Sequence, residues 1–194
     1  MPRAGLTPQR VVAEAAAVAD EVGLDRLTLA AVAQRLGVSL PGLYKHVRGL
    51  DGLQRDLALL GVRELAAAMS AAGVGRAGRD ALHAIAAAYR SYAKRCPGRY
   101  AASVRAPSAD DGEHIAASEA VVGVAAAVLR AYGIAGADAV DAIRSLRAAL
   151  HGFVTLETAG GFGLPQSVDA TFTRLVDALD TAFTSWATAS PRLR

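Results

Sequence analysis

The stretch LTLAAVAQRLGVSLPGLYKHVRGLDGL, residues 27–53, reads as two short helices joined by a tight turn. Thr28 is placed to N-cap the first helix, on which Leu29, Val32, Ala33 and Leu36 recur at helical spacing. Gly37 ends it, because a glycine just past a helix takes the left-handed backbone without a Cβ penalty, and Val38 can tuck into the corner. Ser39 caps the second helix, and Pro41 sits in its first turn, where a proline sacrifices no intrahelical hydrogen bond. Leu43 and Val47, four apart, face inward. Leu40, Gly42, Tyr44, Lys45 and His46 are left outside, so an apolar tip, a bare backbone, a phenol, an ammonium and an imidazole share one small surface.

Such a surface suits the major groove of DNA. Side chains near the start of the second helix can reach base edges while flanking donors hold phosphates and set the docking angle. The run GVSLPGLYKHV, preceded by LTLAAVAQRL and followed by a helix capped at Asp51, resembles the DNA-binding region of the TetR (tetracycline-repressor-like) family of transcriptional regulators over residues 7 to 55. Further along, HGFVTLETAGGFGLP is similar to the C-terminal domain of one branch of that family. The resemblance implies that Tyr44 and His46 hold phosphate, the first through its hydroxyl and the second through an imidazole N–H, and Lys45 adds charge. Leu40 can meet a thymine methyl and Gly42 lets the backbone approach bases. Thr28 and Ser39, as caps, present helix N-termini that favour anionic oxygen. Two positions depart from the family pattern. Leu50 stands where many members carry a lysine at the start of the fourth helix, with Arg48 as a replacement, and Ala30 offers no long side chain for reading bases from the second helix.

Outward from this head, the chain of 194 residues is long enough for one large or two small domains, and its abundant alanine and 5% aromatics favour packed helices. The expected class is all-α, with about nine helices. A first helix starts at Thr7 and Pro8 and ends near Gly23, its stripe of Val11, Ala15, Val18, Ala19 and Val22 packing on the two helices of the head; residues 1 to 6 are expected as a loose arm. A long helix from Asp51 to about Ala72 would extend roughly 30 Å as a connector. Five more patterns follow, near 80–96, 98–104, 113–132, 137–159 and 167–187. We expect a DNA-binding domain over residues 1–50 and a ligand-binding and dimerisation domain over 51–194.

The formal charge of +3 and pI near 9.3 permit a polyanion partner. Through residue 50, Arg3, Arg10, Arg26, Arg35, Lys45 and Arg48 outnumber Glu14, Asp20, Glu21 and Asp25, which places the excess in the head. The single cysteine, Cys96, excludes an intrachain disulfide and any multi-cysteine metal site, and suits a reducing cytoplasm. No apolar signal core opens the chain and no uncharged apolar run of about 18 residues occurs, so no membrane partner is expected. Catalysis finds no support: His46, His83, His114 and His151 are scattered, no G-x-S-x-G elbow occurs, and GGFGLP lacks the Lys-Ser or Lys-Thr of a phosphate-binding loop. No cofactor or metal is expected.

The last two helices carry Ile143, Leu146, Ala149, Leu150, Phe153 and Leu156, and Phe172, Leu175, Val176, Leu179, Phe183 and Trp186. In the family two such helices per subunit form a four-helix seam, which here would use Leu146, Leu150, Gly152, Phe153, Phe172, Leu175, Leu179 and Phe183. The alternative for the same residues is the internal core of a monomer. A homodimer on a palindromic site is expected, since two-fold symmetry doubles the contacts to double-stranded DNA. The resemblance also implies a pocket for a small hydrophobic effector ligand, with Tyr89, Tyr92, Tyr100, His151 and Thr155 as the polar groups in an apolar wall.

Overall fold

The computed structural model describes residues 6–189, so the arm expected before residue 6 lies almost wholly outside the described residues. Among these residues there are nine α-helices and one 3₁₀ turn, with no strand. The helices are α1 (Pro8–Val22), α2 (Leu29–Leu36), α3 (Leu40–Leu43), α4 (Gly49–Gly73), α5 (Gly78–Arg95), α6 (Pro97–Ser103), α7 (Gly112–Arg130), α8 (Gly136–Thr158) and α9 (Val168–Ala189), and the 3₁₀ turn Leu24–Arg26 links α1 to α2. The all-α expectation holds. Two boundaries differ from the sequence reading: α3 is a single turn that ends at Leu43, and α4 starts at Gly49 rather than at Asp51.

The helices group into two compact units that do not follow the chain order. The first runs through Glu64 and takes in Arg95–Ala117; the second holds Leu65–Lys94 and the chain from Ser118 onward. The first unit therefore extends past residue 50, where the head ends in sequence, and recruits α6, whose Gly98 lies 78 residues beyond its partner Asp20.

In the first unit, Val11, Ala15, Ala19, Val32, Leu43, Leu53 and Leu57 are almost fully buried in one core that Ala102 of α6 also enters. A Cβ at Gly98 would collide with the backbone of Ala19, and one at Gly61 would collide with the carbonyl of Arg99, so α6 meets both α1 and α4 at backbone contact. The Asp20 carboxylate of α1 accepts the N–H groups of Gly98 (2.9 Å) and Arg99 (3.0 Å) and the Arg99 Nε (2.9 Å), while Arg99 also donates to Glu64 of α4 at 2.8 Å. One short helix is thus fixed to the outer members of the head by close packing and charge-assisted hydrogen bonds.

The second unit is tied in a similar way. Arg90 of α5 donates to both oxygens of Glu157 on α8 (2.7 and 2.6 Å) and to Asp169 of α9 (2.6 Å), with its guanidinium 4.8 Å from the ring centroid of Phe172. At the other end, His83 and Arg79 of α5 contact Asp177 of α9 at 2.9 and 2.6 Å, and the Tyr132 hydroxyl donates to Asp180 at 2.6 Å. Burial and the neighbouring Asp180 push the Tyr132 phenol upward, so it stays a hydrogen-bond donor.

α7 is the one described helix whose length and hydropathy would let it cross a bilayer. It carries Glu113 and Glu119, and Glu113 is engaged by Arg55 (3.1 Å) and Arg63 (2.7 Å) of α4. Four valines, Ile115 and Leu129, with six alanines, raise its hydropathy.

Candidate nucleic-acid interface

Local chemistry builds the reading surface from three caps. The Thr28 hydroxyl accepts the N–H of Ala31 at 3.1 Å, and the Ser39 hydroxyl accepts that of Gly42 at 3.2 Å. Between them Gly37 sits at φ 67° and ψ 32°, and the Val38 N–H returns to the Ala33 carbonyl at 3.0 Å, which closes α2 and turns the chain sharply into α3. Each cap hydroxyl uses a lone pair inside the protein and keeps its own hydrogen to offer outward, as a phosphate oxygen requires.

Leu43 and Val47 point into the core, 0% and 9% exposed, and so fix which face of this turn looks out. The outward face is the one expected. Tyr44 is 54% exposed and Leu40 38%; Pro41, Lys45 and Arg48 are exposed, and Gly42 and His46 are half-buried. A packed core tyrosine would have been buried. The α-helical bonding stops at Leu43, but the Tyr44 N–H still bonds the Leu40 carbonyl (3.2 Å) and the His46 N–H that of Leu43 (2.9 Å), so the turn carries all three polar side chains past the helix end.

Charge on this surface is narrower than the sequence count implied. Arg35 is spent internally, on Glu14 (3.2 Å) and Glu21 (2.6 Å) of α1, and Arg26 donates to the Val22 carbonyl at 2.5 Å. The hydrogen bond to Arg35 lowers the Glu21 carboxyl below its ordinary value. Lys45 and Arg48 make no ion pair among the described residues, so they are the cations that the turn itself presents.

The five residues expected around an effector differ in burial. Tyr89 and Tyr92 are buried on α5, His151 is half-buried and Thr155 exposed on α8, and Tyr100 is buried on α6 in the other unit. A pocket of about 250 Å³ in the second unit is lined by the α8–α9 loop and the start of α9, from Gly161, Phe162, Gly163 and Leu164 to Gln166, Val168 and Thr171, and none of the five belongs to it. Its floor is held by Phe162 stacked 4.9 Å from Phe153.

The residues assigned to a dimer seam divide by burial. Leu146, Leu150, Phe153, Phe172 and Phe183 are 0–8% exposed within the single chain, where Phe153 and Phe172 pack on each other and on Arg90. They form the unit's own core. Gly152, Leu175 and Leu179 are half-buried, and a Cβ at Gly152 would meet open space. On α8 the exposed residues include Asp141, Arg144, Arg147, Ala148, Thr155 and Leu156, the last 52% exposed, and on α9 they include Ala178 and Ala182.

His46 lies in the turn after α3 and His83, His114 and His151 lie on α5, α7 and α8, and among the described residues no group of three or more His, Cys, Asp or Glu side chains could hold a metal ion.

Comparison with known proteins agrees with this geometry. Residues 82–179 match the tetracyclin repressor-like C-terminal domain family. An uncharacterised HTH-type transcriptional regulator of Mycobacterium tuberculosis is 39% identical over 174 residues, 89% of this chain and 79% of the relative. The HTH-type transcriptional regulator YobS of Bacillus subtilis is 34% identical over 156 residues, 80% of this chain and 81% of that one. The crystal structure of a Q116A variant of TetR from Acinetobacter baumannii, in complex with minocycline, shares the fold at a TM-score of 0.71 and 24% identity, over 96% of this chain and 100% of that one.

Proposed function

Because the chain belongs to the tetracycline-repressor-like family of transcriptional regulators, we propose that it represses transcription as a homodimer on an inverted repeat and leaves DNA when a small, mostly apolar molecule binds. The observation that carries the DNA reading is the exposed turn at Leu40–Arg48, whose inner face is anchored by Leu43 and Val47. One such turn covers too few base pairs to define a site, so two copies related by a two-fold axis are required. The exposed face of α8 and α9, with Gly152, Thr155, Leu156 and Ala178, is the seam we assign; its small side chains allow helices of two subunits to approach closely. Support for an effector is more general: a separate helical unit with buried tyrosines on α5, in a fold that holds minocycline in another regulator.

Fluorescence anisotropy on labelled duplex DNA over a salt series tests the DNA reading. Neutralising about six to ten phosphates per dimer costs roughly 10³–10⁵ in affinity between 50 and 200 mM salt. Binding that ignores salt would refute phosphate contact by this turn.

A further inference from the structure

Apart from Cys96 and the tyrosines, His114, in the first turn of α7, is the one polar side chain buried among the described residues, at 2% exposure. Its Nε2 is fully enclosed and has no hydrogen-bond partner among the described residues. A buried polar atom in this state costs stability unless something outside the chain completes it.

The surroundings say what that partner must offer. On the opposite edge of the ring, Nδ1 lies 4.0 Å from Oδ2 of Asp111. That carboxylate is held firmly, since Arg55 donates to both of its oxygens at 2.7 and 2.6 Å and the His114 backbone N–H donates at 3.1 Å. The Arg55 guanidinium keeps Asp111 ionised, far below the usual carboxylate range. A fixed negative charge beside Nδ1 favours the proton there and leaves Nε2 as a lone-pair acceptor directed away from the ion pairs. The same turn is clamped on α4 through Arg55 and Arg63, and the α4 residues between those clamps include Leu59 and Val62, both apolar and buried. The other charged groups of this joint are Asp56, which Arg55 contacts at 2.9 Å, and Glu113.

The geometry points to His114 as the polar anchor of a ligand site at the α4–α7 joint, with Nε2 accepting a hydrogen bond from the hydroxyl of a small, neutral, otherwise apolar alcohol or phenol. A carboxylate would set lone pairs against Nε2 near an anion, and an ammonium would bury a charge beside carboxylates that Arg55 and Arg63 already engage. The assignment rests on the effector reading above and gives the ligand a place in the first unit, where His114, Asp111, Arg55 and Arg63 all lie. It also places the hydroxyl beside the ion pairs that join α7 to α4, the helix that continues from the reading turn.

Histidine ¹⁵N NMR of the full chain, titrated with phenol and with toluene as the control lacking a donor, tests the site. In the free protein Nε2 of His114, identified by its loss in His114→Phe, should resonate as an unprotonated nitrogen. Phenol should move it saturably and toluene should not. Phenol affinity should fall about tenfold in His114→Phe, one hydrogen bond's worth, and less in His114→Gln, which keeps an acceptor. A protonated Nε2, an equal response to toluene, or a nitrogen that stays bonded to a trapped water throughout would overturn the proposal. DNA affinity is scored in the same samples. Phenol that binds at His114 without weakening DNA binding refutes the effector reading and leaves the site standing; release by phenol that persists in His114→Phe refutes the site and leaves the reading.

Discussion

Lys45 and Gly42 lie three residues apart on one exposed turn and have opposite tasks. Lys45 supplies charge, which any DNA sequence can use, so Lys45→Ala should weaken specific and random duplexes alike and lower the salt slope by about one. Gly42 supplies closeness. A Cβ there would lie 3.2 Å from the Ser39 hydroxyl, so Gly42→Val both fills the gap between helix and bases and disturbs the cap. The cap loss should cost about 1 kcal/mol in thermal unfolding, and operator preference should disappear while random DNA still binds. Equal loss on both DNAs would show that Gly42 does not face bases. At this scale the sequence was highly legible, because Thr28, Gly37, Ser39 and Pro41 act through their nearest neighbours and each adopted the conformation that its chemistry requires.

Among elements, α5 and α8 are joined by the Arg90–Glu157 pair, from which Arg90 also reaches Asp169 of α9. Hydrogen bonds from Arg90, assisted by Lys94 and opposed by burial, hold the Glu157 carboxyl at about 2, against 4.5 for an unperturbed group. A carboxyl that is more acidic folded than unfolded stabilises the fold above about pH 4.5, and that contribution is lost as pH falls through about 2. Glu157→Gln should therefore cost roughly 2 kcal/mol at pH 7 by chemical denaturation, the scale of charged hydrogen bonds in a half-dry site. The gap from the parent protein should shrink steadily below pH 4.5, and a gap independent of pH would contradict this role. Element contacts of this kind were poorly legible. α6 joins the first unit because Gly98 touches Ala19 and Asp20 grips the next two N–H groups, a fit between positions 78 and 79 residues apart that no periodicity reveals. Likewise Leu146, Leu150 and Phe153 read as part of a dimer seam, yet all three are buried within the single chain, where Phe153 packs on Phe172.

For the whole molecule, burial separates assembly from folding. Leu150 is 1% exposed and Leu156 52% exposed on the same helix. Leu150→Ala should cost about 2–5 kcal/mol in unfolding by leaving a cavity. Leu156→Arg should leave the monomer's helicity intact, shift sedimentation from dimer to monomer at micromolar concentration, and abolish operator binding. An unchanged dimer would remove Leu156 from the seam. In the sequence the expectation of a homodimer rested on the family resemblance and on two-fold symmetry at DNA, since the same apolar stripe serves a core and an interface equally well.

The central claim is that the turn Leu40–Arg48 of two symmetric copies reads DNA. Selection of bound duplexes from a random pool, followed by sequencing, tests it most directly. The account predicts an enriched inverted repeat whose half-sites lie about 34 Å apart, or a multiple of that spacing, and its loss with Gly42→Val. Recovery of no shared sequence, or of one asymmetric site bound equally by Gly42→Val, would contradict it.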